Sequence, residues 1–344
     1  MALGVIFTLL LLQIWPEIIF VTFSIILLVP LKILIDLTYL STTDGIIKDN
    51  NSEYKTAKLI FGQIMKSRTT VISVSFNSTL IIEKMLQSIP GNVAIKIVDN
   101  GSIDNIAETL SSFNNCDLIE NASNQGFGRA CNRGAAESET EFLFFLNPDA
   151  TIKSDTISEL EKFADENSKM AAANPLIENE NNKSRLKIST IIPCKDLPRP
   201  KISEFGEMPI LTGGALFIRR KVFEEIGGFD PNIFLYHEDH ELCSRVSKHG
   251  YSLWHVPSAI AVHVGGSSSG RSAKISHWKG YHMARSRYYV LNKFYPSQAF
   301  RKTFWPALFG LINPINLFSI RRSSKYIGQI KGAFSAKIDG GAFK

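Results

Sequence analysis

The sequence predicts an α/β protein with a mostly parallel central sheet and helices on both faces. Three observations predict it. From Thr69 to Asp149, short β-branched or aromatic runs alternate with segments of helical apolar period, the signature of successive βαβ units. One run, "FLFFL" (142–146), is apolar at every position, as a strand covered on both faces requires. Several runs also end in polar residues, at the carboxyl ends of strands where open α/β sheets collect ligands.

Taken in chain order, the first 35 residues carry only Glu17 and Lys32 as charges. A bilayer span needs about 20 apolar residues, so residues 1–36 hold room for one long or two short segments. No basic stretch precedes the apolar run and no small-x-small site follows it, which argues against a signal peptide. No Lys or Arg occurs before Lys32, whereas Lys48, Lys55, Lys58, Lys66 and Arg68 follow. That bias places the bulk of the chain on the cytosolic side of the inner (cytoplasmic) membrane. Pro16-Glu17 interrupts the run, leaving a re-entrant or interfacial hairpin as an alternative to a span, and a buried helix as a third reading. Residues 37–68 mix turn formers with charges and read as a juxtamembrane connector.

A different regime begins at Thr69. "TTVISVSFN" (69–77) reads as a strand, and 78–89 as a helix with Ser78 at its N-cap. A second strand at 93–102 ends in an Asp-Asn-Gly-Ser turn. Residues 103–113 are helical in period, 116–120 form a short strand, and 124–138 are a Gly-punctuated turn entering a helix. The strand ends bring Ser75 and Asn77, Asp99 and Gly101, and Asn147 and Asp149 to one rim. Asn124, Arg129 and Asn132 join from the neighbouring turn and helix. Hydroxyls and amides suit a base and ribose, and a helix start near Gly126–Gly128 suits phosphate. Asp149 is an oxygen ligand of the kind that Mg²⁺ or Mn²⁺ takes when it bridges a diphosphate. Residues 69–150 therefore read as a nucleotide-binding half.

Residues 151–290 supply the second half. "GGALFIRR" is a strand opening on Gly213 and Gly214, which let a ligand approach the backbone. "KVFEEIGGFDP" is a short helix with a glycine stop. "HEDHELCSRVSKHGY" is a helix with His237, Glu238, Asp239 and Glu241 crowded at its start. Acids in a first turn commonly answer the helix dipole. Here a Phe-Leu-Tyr run leads into them, and a carboxylate beside apolar walls is suited to general-base work near neutrality. "IAVHVGGSSSG" (260–270) is a strand carrying His263, an imidazole that can join carboxylate and phosphate oxygens around a cation.

The formal charge of +6 is concentrated at the end of the chain. Residues 291–344 hold eight Lys or Arg from Arg301 onward against one acid, Asp339, and these flank "FWPALFGLINPINLFSI" (304–320). With Pro306 and Pro314 inside it, this stretch is too broken to span a bilayer and reads as an interfacial, membrane-associating tail. Its basic residues are not accompanied by aromatic residues at strand centres, so nucleic acid is not an expected partner. The four cysteines show no CxxC spacing, which argues against a zinc site or disulfide framework and suits a reducing compartment.

Together the segments "VISVSFNS", "IKIVDNGSID", "NQGFGRACNRG", "FLFFLNPDATI", "LTGGALFIRRKVFEEIGGFDPNIFLYHEDHELCSRVSKHGY" and "VHVGG" resemble the family 2 glycosyltransferases. Within them, the likeness is to rhamnosyltransferase-like bacterial enzymes. It covers about residues 69–290 in the family's order. The resemblance implies a GT-A fold, a nucleoside-diphosphate sugar donor and transfer with inversion. Carried over by position, it makes Asp99 a base contact, and Asn124, Arg129 and Asn132 nucleotide contacts. Asp149 becomes the last residue of the metal-binding Asp-x-Asp motif and His263 a further metal ligand. Asp239 becomes the general base, with Glu238 and Glu241 orienting the acceptor. Asn147 stands where other members have the first Asp, which fits this branch, leaves one charge fewer at the metal and implies weak metal dependence. The expected reaction moves a sugar, L-rhamnose from dTDP-L-rhamnose, to a lipid-linked saccharide in surface polysaccharide synthesis. The alternative is a membrane-bound sugar-nucleotide-binding protein with a degenerate site, for which Asn147 is the argument. A nucleotidyltransferase would need a Gly-rich activating loop that "SFNSTLIIEK" does not offer.

Overall fold

A computed structural model describes residues 67–343, apart from 182, 185, 187–188 and 264–271. The expected membrane segment 1–36, the connector up to residue 66 and the Gly/Ser loop after Val264 lie outside the described residues.

The first half is built as expected: β1 (Thr69–Ser75), α1 (Thr79–Ser88), β2 (Ala94–Asp99), α2 (Ala107–Leu110), β3 (Cys116–Glu120), α3 (Phe127–Ala136) and β4 (Phe142–Leu146). After these come β5 (Ala150–Ile152), α4 (Thr156–Glu166), β6 (Met170–Glu178), β7 (Gly206–Glu207), β8 (Ala215–Arg219), α5 (Arg220–Glu225), α6 (Glu238–Lys248) and β9 (Ser252–His263). One nine-stranded sheet results, in the order β3-β2-β1-β4-β8-β6-β9-β5, with β7 on the side of β9.

The sheet is mixed rather than mostly parallel. β1, β2, β3 and β4 pair in parallel because a helix carries the chain back over the sheet between successive strands. β8 enters the centre after a stretch, 179–214, with no helix among its described residues. It lies antiparallel to both β4 and β6, while β6 and β9 are parallel. Short β5 and β7 both cap β9 antiparallel. β5 also runs through residue 150, so the chain has no break between the two expected halves.

β4 is covered on both faces, as its composition demands. Phe142, Phe144 and Leu146 pack with α1 and α4, whereas Leu143 and Phe145 pack with α3, α5 and α6. The expected helix 103–113 contracts to α2 because the residues before it are occupied elsewhere. Ile103 N donates to Asn77 Oδ1 at 2.9 Å, and Asp104 Oδ2 accepts from Thr79 N at 3.0 Å. Asp104 thereby caps α1 in place of Ser78, whose hydroxyl makes no cap bond.

The tail is helical: α7 (Ala273–Phe294), α8 (Ala299–Ile312), α9 (Pro314–Leu317) and α10 (Ile320–Asp339). α7 passes unbroken through the expected boundary at 290. α10 packs on it backbone to backbone, since a Cβ on Gly280, Gly328 or Gly332 would overlap a carbonyl of the facing helix. Only Ala299, Thr303 and Ala307 of α8 are buried, and Phe309, Ile312, Ile315, Leu317, Phe318 and Ile320 remain exposed. No helix among the described residues is long and apolar enough to cross a membrane.

Candidate active site

The carboxyl ends of β1, β2 and β4 do converge, but not every expected residue points into the crevice. Ser75 is fully buried at the end of β1, its hydroxyl without a partner. Asn77, in the left-handed region (φ 54), binds Ile103 N with its side chain and Ser102 Oγ with its backbone N–H. It staples two loops together and is exposed. Asp99 is closed into a turn by Ser102, whose hydroxyl donates to one carboxylate oxygen and whose N–H donates to the other at 3.3 Å. Gly101 has φ +76, and a Cβ there would sit 2.7 Å from Ser123 Cα, so this turn admits only glycine.

Asn100, not singled out by the sequence, is the hub of the nucleotide side. Its buried amide accepts from Gln125 N and Asn121 Nδ2, each at 3.0 Å. It donates to Asn124 Oδ1 at 3.1 Å and Gly126 O at 3.2 Å. All four groups of the 121–126 loop are thereby fixed by one side chain. The start of α3 is less open to phosphate than expected. Gly126 N donates to Asn124 Oδ1 and Phe127 N to Phe234 O, each at 2.9 Å. Gly126 (φ +85) is pressed against Phe234 so closely that a Cβ would overlap its carbonyl.

Two other expected nucleotide contacts are spent on structure. Arg129 donates to Pro231 O at 2.7 Å and Phe343 O at 3.2 Å, and lies over the Phe343 ring. Asn132 exchanges two hydrogen bonds, each of 2.8 Å, with the backbone of Phe229. Both tie α3 to the loop preceding α6.

The metal-side residues meet as expected. The β5–β9 register sets Ala150 opposite His263, which carries Asp149 to the imidazole. His263 Nε2 lies 3.0 Å from Asp149 Oδ1 and 3.5 Å from Asn147 Nδ2. Asp149 is almost fully buried, and Lys279 on α7 faces it. Burial lowers the Lys279 ammonium's pKa, and the Asp149 charge opposes that shift. Among the described residues no three His, Cys, Asp or Glu side chains form a metal-ligating group. Two protein ligands nonetheless fit Mg²⁺ or Mn²⁺, which commonly binds one or two side chains and completes its shell with water and substrate phosphates.

Gly213 and Gly214 join this pair to the acidic helix start. Asn147 N donates to Gly214 O at 3.0 Å, and an added Cβ on Gly214 would lie 3.1 Å from the His263 ring. On the adjacent residue, Gly213 N donates to Asp239 Oδ2 at 3.3 Å, and the missing Cβ would touch Asp239 Cβ at 3.7 Å. The carboxylate of Asp239 and the Asp149–His263 pair therefore flank consecutive residues, whose Cα atoms are about 3.8 Å apart. Buried Asn174, also unforeseen, clamps this dipeptide from behind. Its Oδ1 accepts from Thr212 N at 2.8 Å, and its Nδ2 donates to Thr212 O at 3.0 Å and Ala215 O at 2.6 Å.

Asp239 also accepts from His240 N at 2.8 Å. Backbone donors, rather than aromatic walls alone, thus meet its oxygens. The turn that aims it is strained: Tyr236 and His237 have φ of 70° and 69°, conformations costing about 1–3 kcal/mol each in non-glycine residues. Glu238, nearly buried, faces α3 and Tyr236. Burial, reinforced by its charge, raises the pKa of the Cys131 thiol and the Tyr236 hydroxyl. Glu241 does not face the crevice. It is gripped by Arg245 at 2.6 Å and Lys293 at 2.9 Å, and Lys293 also pairs with Asp230.

The chain matches the model of glycosyl transferase family 2 over residues 70–227, and that of glycosyl transferase family group 2 over 201–327. It is 27% identical to the N-acetylglucosaminyl-diphospho-decaprenol L-rhamnosyltransferase of Mycobacterium tuberculosis, over 62% of this chain and 80% of the relative. It is 25% identical to the dTDP-rhamnosyl transferase RfbF of Shigella flexneri, over 59% of this chain and 72% of the relative. A crystal structure of GalNAc-T7 with UDP, GalNAc and Mn²⁺ shares the fold at a TM-score of 0.53 and 17% identity, covering 79% of this chain and 57% of that one. The expected GT-A-like architecture is thereby met, with a mixed sheet. Residues 70–227 thus carry a family 2 glycosyltransferase domain; the chain is similar to rhamnosyltransferases and is a glycosyltransferase.

Proposed function

We propose that the protein transfers L-rhamnose from dTDP-L-rhamnose, with inversion, to a saccharide carried on a membrane lipid during assembly of a bacterial surface polysaccharide. The observation that carries this reading is the Gly213-Gly214 junction, which sets a single carboxylate, Asp239, beside the Asp149–His263 pair. The names of the mycobacterial and Shigella relatives support the sugar, and the first also supports a lipid-diphosphate acceptor.

In this mechanism Asp239 takes the proton of an acceptor hydroxyl as its oxygen bonds to the anomeric carbon. The bond from that carbon to the diphosphate breaks, and the nucleoside diphosphate leaves with the electron pair. Asp99 and the loop ordered by Asn100 hold the base end of the donor. Gly213 and Gly214 let the sugar lie against backbone, and Glu238 orients the acceptor beside the base. Mg²⁺ or Mn²⁺ on Asp149 and His263, when bound, supplies positive charge to the departing diphosphate. Residues 1–36 and the exposed apolar side chains of α8, α9 and the start of α10 hold the enzyme on the cytosolic face of the inner membrane. Exposed Arg321 and Arg322 then meet anionic headgroups.

The test is nucleoside diphosphate release from a donor panel by membranes containing the full chain, with a lipid-extract acceptor. Turnover of dTDP-L-rhamnose above all other donors is expected. Preferred turnover of another donor overturns the sugar assignment, and binding without turnover of any donor supports a degenerate site.

A further inference from the structure

The molecule has a second concave feature, remote from the strand ends. A groove of about 640 Å³ runs between α7 and α8, within the roughly 300–1,000 Å³ usual for ligand pockets. Arg287 lines it from α7, and Arg301, Lys302, Trp305 and Phe309 line it from α8, with Arg301, Trp305 and Phe309 one turn apart on one face. No Asp or Glu lines it, and none of the three cations is in an ion pair among the described residues. Arg287 is half-buried, and its Nε–H is spent on Lys302 O at 3.2 Å. Burial lowers its pKa below the ordinary value, yet an arginine stays charged. Three positive groups in a concave, acid-free wall mark a site for a multiply charged anion.

Further along the same face of α8 the lining is apolar. Trp305 and Phe309 stack on one another with ring centroids 5.7 Å apart, and their surface continues into exposed Ile312, Ile315, Leu317 and Phe318. A free nucleotide or inorganic anion would leave that lining wet, and a neutral lipid would leave three cations unanswered. Thr190 also lines the groove, and its hydroxyl lies 3.3 Å from His240 Nδ1. His240 is the residue after Asp239.

We infer that this groove binds the diphosphate and first isoprenoid units of a polyprenyl-diphosphate acceptor. Arg287, Arg301 and Lys302 hold the diphosphate, Trp305 and Phe309 carry the chain toward the exposed apolar strip, and the attached sugar is directed past Thr190 to Asp239. The identification as acceptor rests on the transferase reading above, whereas the binding itself does not.

The experiment titrates the full chain in neutral detergent micelles with geranylgeranyl diphosphate, followed by calorimetry. Geranylgeranyl monophosphate, inorganic pyrophosphate and phosphatidylglycerol vesicles form parallel arms, and dTDP is titrated into the same preparation. Saturable binding of the diphosphate lipid is expected. It should be at least about tenfold weaker for the monophosphate, and at least about tenfold weaker in Arg301→Gln/Lys302→Gln, because charge-assisted contacts are the strong ones. Arg301 is exposed and Lys302 partly so, and neither is in an ion pair among the described residues, so the double variant should keep its fold; Arg287→Lys, which keeps the charge but loses the fork, should weaken binding less. Affinity unchanged in the double variant overturns the inference. So does inorganic pyrophosphate binding as tightly as the lipid, or phosphatidylglycerol vesicles competing equally, which would make the groove a general membrane contact. Lipid binding with no dTDP binding sustains the groove and breaks the transferase reading; dTDP binding with no lipid binding does the reverse.

Discussion

The two walls of the crevice are each set by one buried asparagine, but over very different lengths of chain. Asn100 orders the loop between β3 and α3, no more than 26 residues away within a parallel unit. Asn174 reaches residues 38 and 41 positions away, across an antiparallel junction that no helix crossover imposes. On α6, which carries Asp239, the chain adds long-range ion pairs, with Lys293 of α7 bridging Asp230 and Glu241. The asparagine contacts of the nucleotide wall are thus local, but α3 beside them is tied to Phe234 and Phe343, and the helix start carrying Asp239 is tied to α7. Both walls reach the later chain, so their difference lies in the span of the asparagine contacts.

Asn174→Leu should show the largest effect. It removes the partners of Thr212 N, Thr212 O and Ala215 O together, at about 1–3 kcal/mol for each buried group left unsatisfied. Urea unfolding should give a loss of about 4 kcal/mol in total, and turnover should fall with donor affinity little changed. Asn100→Leu should do the converse, weakening donor binding more than turnover. The same loss of turnover in both variants would erase the distinction between the walls.

Lys293→Met should cost about 3 kcal/mol, because it leaves Asp230 and Glu241 buried with one cation fewer. Burial lowers the ammonium's pKa, but the hydrogen bond to Asp230 and the charges of Glu241 and Asp230 together leave it raised. Burial raises Asp230's, yet Lys293 and the Asn232 N–H groups leave it lowered. The cluster's contribution is therefore full between the ordinary values of 3.8 and 10.5. It is lost as pH falls through the native Asp230 value or rises through that of Lys293. The stability difference between wild type and variant should shrink as pH falls below 3.8.

His282 gives the smallest effect. It is packed against Phe234, Trp278 and Tyr281, and its pKa is held at about 4 by burial, with the Arg285 charge adding. Below its ordinary value of 6.5 the unfolded chain binds a proton that the native ring refuses. Stability should fall by about 2 kcal/mol between pH 6.5 and pH 4 and be flat above. His282→Phe should keep the ring packing and remove that slope, as thermal unfolding at several pH values would show.

Much of this was legible in the sequence, and for physical reasons. The strands 69–75, 94–99 and 142–146 and their helices announce themselves because parallel units impose local periods. Asp149, His263, Asp239 and the Gly213-Gly214 pair, which the fold brings together, stand out in the sequence because each ends or begins such an element. Arg129, Asn132 and Glu241 carry the same chemistry as site residues, and only the fold reveals that Pro231, Phe229 and Lys293 consume it. Asn100 and Asn174 gave no signal, because an amide's importance lies in what distant backbone it satisfies. The antiparallel entry of β8 and the docking of α10 on α7 are likewise long-range events with no period to read.

The central claim is that Asp239 carries the chemistry while the other wall carries the donor. Donor affinity by calorimetry and turnover by nucleoside diphosphate release, measured on one preparation of Asp239→Asn, test it most directly. The account predicts turnover reduced by about 10²–10⁴, the usual contribution of a general base, with donor affinity unchanged within about twofold. Turnover equal to wild type, or donor affinity lost in step with turnover, would contradict it.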